Sequence, residues 1–130
     1  MMPTSNDQYS TLIAPLFIYF KLSRKAYNKY MANKIFLHAL NIYESNKRIK
    51  ELLINHPTYI PQQLQDDAIE LINHYSIWIS QFDELRATRN FELKDSFIFY
   101  HLDDQSAFPR HAEHHFIDYY NKQNKLAENG

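Results

Sequence analysis

Glycine is all but missing from this chain, the single one among 130 residues being Gly130 at the very end. Tight hairpins, βα turns and phosphate-cradling loops rely on glycine for positive φ, which argues against Rossmann and P-loop nucleotide sites. Cysteine is absent altogether, removing disulfides, thiolate zinc sites and a cysteine nucleophile, and a reducing compartment fits that absence. Charge of one sign is missing too. With 14 basic against 15 acidic residues the net charge is −1, so the molecule as a whole is not a basic nucleic-acid binder. Nor is there a long hydrophobic run: Leu12 to Phe20 is apolar for only 9 residues, against roughly 20 needed to span a bilayer. The residues before it carry Asp7 and no Lys or Arg, unlike a secretory signal. A cytoplasmic protein with no membrane partner is expected.

What is present is apolar and aromatic. Hydrophobic residues make up 45 %, and ten Tyr, nine Phe and one Trp are too many for a disordered chain. The length suits one domain, expected over residues 10–127 between flexible ends at 1–9 and 128–130. Between Pro15 and Pro57 no Gly or Pro intervenes, and Ile13, Phe17, Phe20, Tyr27, Met31, Ile35, Ala39, Ile42, Ile49 and Leu53 form one helical stripe. A helix of that length would run about 60 Å, longer than a domain of this size is wide. It is therefore expected to kink near residues 21–29 or to project into a partner.

Pro57 should end this helix and Pro61 open the next. There Leu64, Ala68, Leu71, Tyr75, Trp78, Phe82 and Leu85 alternate spacings of four and three, the clearest periodic signal in the chain. A turn centred near residue 58 or 59 would set His38 level with Ile79 and His74 level with Tyr43, so these two histidines do not share a ligand. Both read as hydrogen-bonded imidazoles at the edge of a core, with Glu70 one turn before His74 to orient it. Residues 92–102 read as a short helix capped by Asp95, since no second strand is available to pair with them. Ser106 and Pro109 then suit the start of a last helix with Phe108, Ala112, His115, Phe116, Tyr119 and Leu126 inward. The fold expected is all-α and four-helix bundle-like, with a long, kinked first helix.

The densest chemical cluster lies on that last helix. His111, His115 and Asp118 share a face, and two imidazoles with a carboxylate could hold zinc or iron with a position open for water or substrate. Structural or solvated histidines are the plainer account, and otherwise no cofactor is expected. Arg110, the polar His111 and then His115 match the Arg-polar-x-x-x-His pattern of HEPN-type RNases, which the segment resembles. That resemblance implies a dimer in which Arg110 stabilises phosphate charge and His115 serves acid–base cleavage of RNA. On a regular helix, however, the two point about 140° apart, so convergence needs an irregular first turn or a second subunit.

Lys21, Arg24, Lys25 and Lys29, interleaved with Tyr27 and Tyr30, form a stretch that could touch phosphate and stack on bases. Together these signals favour a small module that binds another macromolecule, a homodimer or an unknown protein partner, without catalysis. Arg24, Lys25, Tyr27, Phe17 and Phe20 are its expected binding residues, with surplus apolar surface on the first helix. The alternatives are an RNase-like or metal-dependent enzyme using His111 and His115, and a nucleic-acid-binding accessory protein. Seven histidines in a chain of net charge −1 also predict lower stability or altered association as they charge below neutral pH.

Overall fold

A computed structural model describes residues 5–99 and 108–129. It is an all-α bundle of four principal helices. Helical structure begins at Ser5–Gln8, passes through one π-helical stretch at Tyr9–Ile13 and continues as α1, Ala14–Ala32. Next come α2, Phe36–Asn55; two 3-10 turns at Pro57–Tyr59 and Gln62–Leu64; α3, Gln65–Arg86; and α4, Arg110–Asn129. None of these helices is long and apolar enough to cross a membrane, among the described residues.

The long first helix of the sequence reading is two helices. It breaks at Asn33–Ile35, beyond the expected kink at 21–29, where Asn33 and Ile35 take extended backbone angles. The chain then reverses, and α2 packs along α1 as a helical hairpin. No side chain caps the start of α2. Its first amides are met from far along the chain: Phe36 N–H donates to the Asp95 carbonyl and Leu37 N–H to that of Leu93, both at 2.8 Å. Phe97 N–H returns a bond to the Lys34 carbonyl at 3.0 Å, and Ile35 forms a single antiparallel bridge with Ser96. A helix end left without partners would be costly, and this segment removes that cost.

Residues 92–99 are accordingly not the expected helix. Residues 92–95 form a turn, and from the bridge at Ser96 burial alternates with a period of two, Phe97 and Phe99 buried and Ile98 facing out. Asp95 closes the preceding turn, its carboxylate accepting from Glu92 N–H at 2.8 Å. Residues 100–102 and the expected cap Ser106 lie outside the described residues.

The core has two parts. Leu12, Leu16, Phe20, Ile49, Leu53, Leu71, Tyr75, Ala112 and Phe116 join all four helices at one end. At the other, Tyr30, Phe36, Ala39, Tyr43, Trp78 and Phe82 meet Phe97 and Phe99, so the extended segment covers what α4 does not reach. Tyr43 lies 4.6 Å from Phe82 and 6.4 Å from Trp78 between ring centroids, which moves the α2–α3 register beyond the expected pairing of Tyr43 with His74. The two 3-10 turns lengthen the connection and account for that shift.

Polar groups follow the same plan. Buried Asn46, an interruption in the sequence stripe, accepts a 2.8 Å bond from Ser23 across the hairpin. Gln8, within the segment expected to be flexible, donates to the Tyr59 carbonyl and accepts from the Tyr119 hydroxyl, each at 2.8 Å.

Candidate functional site

α3 and α4 run antiparallel, and four metal-competent side chains meet along their seam. On α3, Asp67 and Glu70 are one turn apart; on α4, His111 and His115 are likewise one turn apart. His115 Nδ1 lies 2.9 Å from Asp67 Oδ2, and His111 Nε2 is hydrogen-bonded to Glu70 Oε2. The ligand atoms of Asp67, Glu70 and His111 all fall within 4.8 Å of one another. The two imidazole rings are 6.2 Å apart, edge to face. The Asp67 side chain is 13 % exposed, whereas the other three open to solvent. One side of the cluster is thus walled by protein and the other is accessible.

The structure adds neighbours to the expected triad His111, His115 and Asp118. His111 and His115 do share a face, but their carboxylate neighbours come from α3. Asp118 sits a turn further along and lines a cleft of about 500 Å³ with His115, Gln63, Leu64, Tyr119, Lys122 and Gln123. Glu70 turns to His111 across the seam, and the expected orienting bond to His74 is replaced by ring contacts. An i, i+3 pair of acids on the best-defined predicted helix was the available signal for Asp67 and Glu70. Arg110 and His115, the RNase-like pair, lie on one regular helix from its first residue, so a five-residue offset directs them apart within one chain.

The basic and aromatic stretch is also rearranged. Arg24 donates to buried Glu113 at 2.8 Å, joining α1 to α4. Phe20 is buried, and Phe17 stacks on Tyr120 at 3.9 Å, so the aromatics expected to face a partner face α4. Tyr27 packs against the second core cluster and Tyr30 is fully buried. Lys25 stays exposed, as do Lys21 and Lys29. Beside these lysines, Phe17 and Tyr27 are only partly exposed and Tyr30 is buried, which leaves little aromatic surface in this stretch for base stacking.

His74 lies edge-on to Phe108 and Tyr75, at 5.1 and 5.4 Å between centroids. Burial pushes its imidazole below the ordinary value. The fold thus favours neutral His74, and the unfolded chain takes up the proton first as pH falls. The resulting stability is complete above about pH 6.5 and is lost as pH drops through the lowered value. Melting curves between about pH 7 and 5 should show His74→Leu losing less stability over that range than the parent chain. Equal slopes would refute the assignment. His38, expected to be hydrogen-bonded, has a buried Nδ1 without a partner among the described residues.

The chain matches no protein-family model, and comparisons with curated proteins and with solved structures find no match.

Proposed function

We propose that this protein is a helical interaction module that associates with a second copy of itself through the outer face of α3. The observation that carries the reading is the exposure of Ile69 (56 %) and Ile77 (60 %), the two most exposed large hydrophobics among the described residues. Ile77 lies within a stretch, Leu71 to Phe82, without a single Asp, Glu, Lys or Arg, and Ile69 lies just before it. A solvated helix face ordinarily carries charge, and depletion of charge around apolar residues is typical of the centre of a protein interface.

The face is self-complementary about a two-fold axis at Asn73. Antiparallel pairing there sets Ile69 against Ile77 of the second copy and Asn73 against itself. It also sets Glu70 opposite Ser76, Asp66 opposite Ser80, and Asp83 and Glu84 opposite Gln63 and Gln62, so no acid meets an acid. The outer face of α1 offers Ile18 and Leu22 as well, but Lys21, Lys25 and Lys29 surround them and favour water.

Sedimentation of the untagged chain at micromolar concentration should give a dimer. Ile77→Lys should yield a monomer with its helical circular dichroism intact, while Ile18→Lys remains dimeric. A monomeric parent chain, or a dimer indifferent to Ile77→Lys, would overturn the reading.

A further inference from the structure

We propose that Asp67, Glu70, His111 and His115 form a binding site for one divalent transition-metal ion, with zinc(II) the best chemical match. Two carboxylate oxygens and two imidazole nitrogens are a donor set zinc accepts in four-coordinate geometry. At bond lengths of about 2.0–2.1 Å, neighbouring donors around a tetrahedral ion lie roughly 3.3 Å apart. The donors of Asp67, Glu70 and His111 already lie within 4.8 Å of one another, and His115, 2.9 Å from Asp67, joins them when its ring turns toward the ion and that pair opens by a few tenths of an ångström. Rotation of exposed side chains supplies that adjustment while both helices stay in place.

The arrangement differs from scattered surface ion pairs in three respects. Each helix contributes two donors one turn apart, and three of the four, from Asp67, Glu70 and His111, converge within 4.8 Å across the seam instead of pairing along a line. The two carboxylates of α3 repel one another at that spacing, and a dication between them replaces repulsion with attraction. Neutral imidazoles leave the carboxylate charge uncompensated, whereas an ion ligated by those same imidazoles balances both acids. The open side toward His111 and Glu70 provides an entry path, and the cleft beyond His115 leaves room for a water or an added ligand. His114, exposed on the same helix but pointing about 60° or more away from both ligating histidines, is the natural control for adventitious binding.

The test is calorimetric titration of zinc chloride into the full untagged chain, backed by the visible spectrum of the cobalt(II) form. One equivalent should bind with release of protons where imidazole is partly protonated. His111→Ala and Glu70→Ala should each weaken binding by about tenfold or more, the range seen when metal-site partners are lost. His114→Ala and Asp118→Asn should leave it unchanged. The same titration on the Ile77→Lys variant separates this site from the self-association reading, since the donors all come from one chain. Absence of binding, or equal affinity in the His111→Ala/Glu70→Ala double variant with circular dichroism intact, would overturn the proposal.

Discussion

Phe82→Ala is expected to destabilise the fold by about 3–5 kcal/mol, the usual cost of emptying a fully buried aromatic site. Phe82 is wholly buried. Its ring lies within 6.4 Å of those of Phe36, Tyr43, Trp78, Phe97 and Phe99, which come from α2, α3 and the extended segment. None of these can close the cavity alone, because each is held by another ring: Phe36 by Phe91, Phe97 by Phe91, and Trp78 by Phe99. A domain of this size has roughly 5–15 kcal/mol to lose. The melting temperature should fall by about 10–20 °C. Urea unfolding gives the direct measure, with exposed Ile98→Ala as a control expected to stay within about 0.5 kcal/mol. A loss below about 1 kcal/mol for Phe82→Ala would show that these rings do not pack as one unit.

Phe82 belongs to the part of the fold that was legible in the sequence. Of the seam residues Leu64, Ala68, Leu71, Tyr75, Trp78, Phe82 and Leu85, all but Leu85 are buried. The four-three spacing carried that information locally, as did the brackets Pro57 and Pro61. The break between α1 and α2 was not legible, because no local residue marks it. Asn33, Lys34 and Ile35 contain neither Gly nor Pro, and the carbonyls that satisfy the new helix start belong to Leu93 and Asp95, nearly sixty residues away. The same pairing explains residues 92–99. A strand was set aside for want of a partner, and the partner is Ile35, in the short extended break inside what looked like an unbroken helix.

The candidate site divides in the same way. Spacing alone placed His111 and His115 on one face, since offsets of four are visible in sequence. Which carboxylates meet them depends on the α3–α4 register, and the long connection after Arg86 leaves that register open in the sequence. Once Phe108 sits against His74, antiparallel rise brings Glu70 to His111 and Asp67 to His115 without further choice. Arg24 shows the converse. As a residue in a basic run it suggested phosphate, yet Glu113, a buried acid on α4, takes it up. A charge run reads as a surface until the helix opposite is known.

Tyr30→Phe is expected to cost about 2–4 kcal/mol although it removes one oxygen atom and leaves the packing volume almost unchanged. Tyr30 is fully buried near the end of α1, and its hydroxyl donates to the Phe97 carbonyl at 2.8 Å and accepts from Phe99 N–H at 3.0 Å. Both backbone groups are buried, and each buried group deprived of its partner costs about 1–3 kcal/mol. The consequence reaches further than the bond. The segment held by Tyr30 also supplies the Leu93 and Asp95 carbonyls to the first amides of α2, so loosening it exposes the helix start that sequence gave no reason to expect. Native-state hydrogen exchange should therefore quicken at Phe36, Leu37 and Phe97 in Tyr30→Phe. Amides of Ala112 to Phe116, in the other half of the core, should keep the protection that global stability allows. Uniform loss of protection across both halves would mean that Tyr30 stabilises the whole bundle equally, and the clasp between the extended segment and the α1–α2 break would have no separate existence.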